Sequence, residues 1–169
     1  MAQDKPKPRV IRTKRLRAPS RDEYVRYIVA IENWDWSYTL GLDDRKDSMD
    51  PYREYRHLKI GGKLLHPRLL TVETVEVHLL PRHNLDQNRR KDDQPTAIGS
   101  LRHDGGRLTA LLPIPKDSLT PILQVLIAEH FRFVDLGGAR LRHRQALVSS
   151  FSLETHIDVD DMPSVADET

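Results

Sequence analysis

An antiparallel β-sandwich or open barrel of about seven to nine strands, with one covering helix, is the fold class that three features of this sequence predict. Apolar and polar residues alternate through most of the body, turn residues cut it into short pieces, and one stretch alone carries the period of an amphipathic helix. At 169 residues the chain suits a single hydrophobic core.

The first strand signal runs from Tyr24. Its apolar set is Val25, Tyr27, Val29 and Ile31, and it resumes as Trp34, Trp36, Tyr38 and Leu40, so the inward phase slips by one. A β-bulge or tight turn near Glu32 and Asn33 produces such a slip. The opposite face, Asn33, Asp35, Ser37 and Thr39, is polar throughout. Burying two tryptophans and a tyrosine stabilises a fold by on the order of a few kcal/mol, so the stripe is expected to face the core. The alternative is a platform on which Trp34 and Trp36 stack a sugar or a base.

Three Gly-Gly pairs, at 61–62, 105–106 and 137–138, each precede a basic residue and a leucine. Glycine supplies the positive φ of type I′ turns, so three hairpins are expected there. Between residues 69 and 80, Val75, Val77 and Leu79 read as the inward face of a strand, with Glu76 and His78 outside. Two charged loops are expected at 42–52 and 81–96. The helix is expected at about 118–130, where Leu119, Ile122, Leu123, Leu126 and Ile127 make one apolar stripe and Pro121 falls in the first turn.

With a two-residue turn at Gly137–Gly138, Phe131, Phe133 and Asp135 share a face with Arg140, Arg142 and Arg144. That face would hold phosphates by charge and stack bases on the phenylalanine rings. The bland reading is a solvated arginine face with one Asp135–Arg140 pair.

The net charge of +2 hides an asymmetry. Residues 1–21 hold eight basic side chains, Arg12, Lys14, Arg15 and Arg17 among them, against Asp4 alone, a net +7. Residues 154–169 carry six acidic side chains and no basic one. The chain is therefore divided into a flexible basic arm at 1–21, one β-rich globular domain at 22–157 and a flexible acidic tail at 158–169. Basic arms of this kind bind nucleic acid through counterion release, or dock on acidic protein partners.

No apolar run is long enough to cross a bilayer and no secretory leader is seen, so no membrane partner is expected and the chain is expected in the cytosol. The absence of cysteine excludes disulfides, thiolate metal sites and thiol nucleophiles. The eight histidines form no HxH or HExxH pattern, and no glycine-rich phosphate loop or nucleophile elbow occurs. No cofactor, metal or catalytic residue is therefore assigned, and catalysis is the minority reading. The function expected is a non-catalytic binding module for nucleic acid or another polyanion, acting through the basic arm, Phe131, Phe133, Arg140, Arg142 and Arg144. Its rivals are a protein-assembly subunit, which could be a homo-oligomer, and a carbohydrate-binding sandwich.

Overall fold

Seven strands close on themselves in the order β1-β2-β3-β5-β4-β7-β6. They are β1 (Tyr24–Leu42), β2 (Tyr52–His66), β3 (Thr74–Arg82), β4 (Gly99–Asp104), β5 (Arg107–Pro115), β6 (Phe133–Ala139) and β7 (Gln145–Glu154). The structure, a computed structural model, describes residues 24–42, 52–82, 85 and 97–158. The basic arm with Arg12, Lys14, Arg15 and Arg17, most of the acidic tail and most of both charged loops lie outside the described residues.

The chain is mainly β with one short helix, as the alternation predicts. Two details are finer than the sequence pattern. The barrel is closed, which removes the free edges an open sheet would carry. One pairing is parallel: Val75, Val77 and Leu79 of β3 lie opposite Leu108, Ala110 and Leu112 of β5. Val75, Val77 and Leu79, expected to face inward, are buried in the core among Leu58, Ile60, Leu108, Ala110, Leu112, Val134, Leu136 and Val148. The phase slip in β1 is present as a register shift between Ile31 and Asn33.

A single 3-10 turn (Lys116–Ser118) leads into helix α1 (Leu119–Ile127). The helix leaves β5 and returns to β6, which are not neighbours in the barrel, so it crosses one mouth and buries Leu119 and Leu126 in the core. It ends with its apolar stripe at Ile127, short of the expected 130. Glu129 takes φ 55°, and the Glu129 amide donates to the Leu126 carbonyl (2.9 Å) while the His130 amide donates to that of Val125 (3.2 Å). This is the paired closure that usually recruits glycine.

Of the three expected Gly-Gly hairpins, one forms. Gly105 and Gly106, at φ 54° and 86°, connect β4 to β5. The other two pairs lie inside strands, where the demand is for space. A Cβ on Gly62 would run into the Ala30 carbonyl, and one on Gly138 into the Leu147 carbonyl. The β6–β7 turn is instead made by His143 and Arg144, at φ 51° and 65°. Arg142 and Gln145 bracket it with reciprocal amide-to-carbonyl bonds of 2.9 and 3.0 Å. The predicted register of Phe131, Phe133 and Asp135 against the arginines is therefore wrong. Phe133 pairs with Glu154 of β7 and Ala30 of β1, and Asp135 accepts from Arg26 Nε at 3.0 Å.

The strand directions give the barrel two unlike ends. At the turn end stand Tyr24, the 67–73 connection, the Gly105–Gly106 turn and the 140–144 connection; at the arm end stand α1, Phe133, Glu154 and the outer half of β1 and β2. Close approach at the glycines is what lets the barrel close, so Gly62→Ala is expected to lower stability by about 2 kcal/mol or more. Gly41→Ala, where a Cβ meets nothing within 4 Å, is expected to change it by less than about 0.5 kcal/mol. Urea unfolding of both variants checks the contrast.

Candidate functional site

β1 and β2 outrun the rest of the barrel. β6 pairs with β1 only over Tyr24–Ala30, and β3 pairs with β2 only over Leu58–Gly62. Beyond these, residues 36–42 and 52–58 pair with each other in an unbroken antiparallel register, Trp36 with Leu58, Tyr38 with Arg56, Leu40 with Glu54 and Leu42 with Tyr52. The strands thus leave the barrel as a two-stranded arm. Directly paired residues share a face, so the face that is core inside the barrel continues outward as Trp34, Trp36, Tyr38, Leu40, Leu42 and Tyr52.

The expectation that this stripe is core holds only at its root. Trp34 packs against the core cluster. Trp36, Tyr38, Leu40, Tyr52 and Leu42 are 48, 49, 56, 59 and 77% exposed. Alternation assigned the face correctly, but among the described residues no third strand or second layer covers it along the arm. A run of exposed aromatic and leucine side chains on one face is the composition of a binding surface, since large apolar patches on solvated surfaces mark interaction sites.

The charges on that face are already engaged. Glu54 accepts from Arg56 (Nε 3.0 Å, Nη2 2.5 Å) and pairs with Lys116 Nζ at 2.6 Å. The Lys116 ammonium and then the Arg56 guanidinium hold the Glu54 carboxyl at about 2, well below its ordinary 4.5. The Arg56 guanidinium also lies 5.8 Å from the Tyr38 ring centre, within cation–π range. Glu54 thereby ties the middle of the arm to the turn that starts α1.

At the root of the arm a cavity of about 490 Å³ is lined by Ile31, Glu32, Asn33, Trp34, Leu126, Glu129, Phe131 and Arg132. Its walls are mixed: Ile31, Trp34, Leu126 and Phe131 are apolar, and Glu32, Asn33, Glu129 and Arg132 are polar or charged. Trp34 belongs to both cavity and stripe, so the two form one continuous surface. Phe131, expected as a base-stacking ring, packs against the core at this cavity, at the opposite end of the barrel from the arginines.

Arg140, Arg142 and Arg144 belong to the connection at the turn end, where Tyr27 anchors them. The buried Tyr27 hydroxyl donates to the Ala139 carbonyl (3.0 Å) and accepts from the Leu141 amide (2.9 Å). Burial, the leading effect, raises its pKa. Arg68, Arg102 and Arg107 come from the same end, a gathering that sequence reasoning missed because it joins three separate connections.

On the outer wall, His57 Nε2 and His78 Nδ1 are 2.7 Å apart, with ring planes within 7° and centres 4.9 Å apart. That centre separation fits two imidazoles joined edge to edge by one N–H···N bond. Burial first, then the neighbouring His57, lowers the His78 pKa against the opposing pull of Glu76. Among the described residues no group of three or more His, Cys, Asp or Glu side chains could hold a metal ion, and no helix is long and apolar enough to cross a membrane.

No family model, curated protein or solved structure matches the chain; its site is read from its own chemistry.

A depressed carboxyl stabilises above its unfolded pKa and loses that contribution as pH falls through the folded value. The Glu54 tether is therefore intact above about pH 4.5 and lost towards pH 2. A carboxyl-carbon NMR titration is expected to place the Glu54 midpoint near 2, and Lys116→Ala to move it upward. A midpoint already at 4.5 in the unaltered chain would contradict the tether.

Proposed function

We propose that this protein is a non-catalytic docking module that binds a protein partner through the aromatic face of the β1–β2 arm and the cavity at its root. One observation carries the reading: the face that is core inside the barrel continues past the last covering strand, leaving Trp36 and Tyr38 about half exposed. Tryptophan and tyrosine are the side chains that most often anchor protein interfaces, because they bury large area with little rotamer entropy. The internal pairing of Glu54, Arg56 and Lys116 supports an apolar partner surface, since no unpaired charge on this part of the face need be desolvated. Among the described residues, no further strand pairs with residues 36–42 or 52–57 along the edges of the arm, which leaves positions for augmentation.

A second reading, polyanion binding, keeps a specific support: Arg68, Arg102, Arg107, Arg140, Arg142 and Arg144 all belong to the turn end, where the basic segment of residues 1–21 joins the barrel at Tyr24. It takes second place because the arginine and phenylalanine side chains meant to act together stand at opposite ends.

The test is a photocrosslinking benzoylphenylalanine introduced at Trp36, Tyr38, Ser37 or Thr39, irradiated in the cells that make the protein. Crosslinks to a protein are expected from Trp36 and Tyr38 and not from Ser37 or Thr39, which lie on the opposite face. Equal yields from both faces, or adducts to nucleic acid alone, would count against docking through the arm.

A further inference from the structure

We propose that the partner of the arm end is the turn end of a second copy of this chain, so that copies associate head to tail. The inference rests on the docking reading above and adds the partner's identity.

The turn end presents a knob. Leu70, on the 67–73 connection, is fully exposed, while the adjacent Leu69 packs on the core. The connection is held on three sides. The Val72 amide donates to the Leu69 carbonyl (3.0 Å), the Glu73 amide to that of Gly106 (2.7 Å), and the His103 ring nitrogen meets the Thr71 carbonyl (3.2 Å). Leu70 is thus offered on ordered backbone, which reduces the entropy lost on docking.

The arm end presents the hole. The cavity of about 490 Å³ has apolar walls at Ile31, Trp34, Leu126 and Phe131, large enough to admit a leucine and part of the connection bearing it. Charge matches as well as shape. Glu32 and Glu129 line the cavity against one cation, Arg132, which leaves it net acidic, and Arg68 and Arg144 flank the knob. His103 fixes that arrangement, since its amide donates to the Arg144 carbonyl (2.9 Å) while its ring holds Thr71.

Glu129 adds an independent sign. It occupies the left-handed position that closes α1, at φ 55°, where glycine is favoured and other residues are strained. Strained non-glycine backbone concentrates at binding sites, and here it sets a carboxylate at the cavity. Because knob and hole lie on opposite ends, the contact is heterologous and repeats from copy to copy.

Sedimentation velocity of the full chain over a concentration series tests this, with Leu70→Asp, Trp36→Glu and Glu129→Gly alongside. The unaltered chain is expected to grow with concentration beyond one copy of 19.6 kDa, and to do so less at high salt. Leu70→Asp and Trp36→Glu are each expected to associate about 30-fold more weakly or worse. Their equimolar mixture, which restores one intact knob and one intact hole, is expected to form two-copy particles and stop there. Glu129→Gly is expected to raise Tm and yet weaken association, which a purely structural role for Glu129 would not do. Association undiminished by Leu70→Asp but abolished by Trp36→Glu would mean that arm meets arm, and overturns the proposal. So does a chain that stays single at every concentration, even if Trp36 crosslinks to another protein and the docking reading survives. Growth only on addition of a single- or double-stranded oligonucleotide would overturn it in favour of polyanion binding.

Discussion

The β1–β2 ladder is the constraint on which the rest of the molecule depends. β1 is 19 residues long and β2 15, while the strands that would cover them are shorter, with β6 at 7 and β3 at 9. A strand's side chains alternate whether or not anything packs on them, so an inward face continues after the barrel has ended. The interaction that closes the barrel at one end creates an uncovered aromatic surface at the other. An isolated two-stranded ribbon is marginal in water, and here the Glu54 bridge to Lys116 and the packing of Trp34 steady its base.

The same ladder sets the polarity of the molecule. β1 shifts register between Ile31 and Asn33, and Gly62 lies opposite that shift because no side chain fits against the Ala30 carbonyl. With that glycine consumed by packing, as Gly137 and Gly138 are on β6, the β6–β7 turn falls to His143 and Arg144 in a conformation that costs each about 1 kcal/mol. The His103 amide on the Arg144 carbonyl offsets part of that cost. What results is a barrel with a basic, leucine-tipped turn end and an aromatic, partly acidic arm end.

Much of the fold was legible in the chain itself. Strict alternation identified the inward residues of β3, the phase slip marked the bulge in β1, and the apolar spacing located α1. What failed has common physical roots. A Gly-Gly pair satisfies two different demands, positive φ and absence of a Cβ, and only the three-dimensional neighbours decide which applies; Gly105–Gly106 met the first, and the other two pairs the second. Burial of Trp36 and Tyr38 depends on a covering strand, and strand length relative to neighbours is not written in either strand alone. The parallel β3–β5 pairing and the placement of Arg68, Arg102 and Arg144 toward one end of the barrel are likewise products of strand order. The aromatic stripe was visible as a pattern, and its role as a surface was not.

The most direct measurement compares two single-tryptophan proteins, one retaining Trp34 and one retaining Trp36, by emission wavelength and iodide quenching at a dilution where each is a single copy. If the arm face is open in the isolated chain, Trp36 should emit at longer wavelength and quench readily while Trp34 is shielded. Equal shielding of both tryptophans would mean that the chain covers this face itself, and docking through the arm would be contradicted.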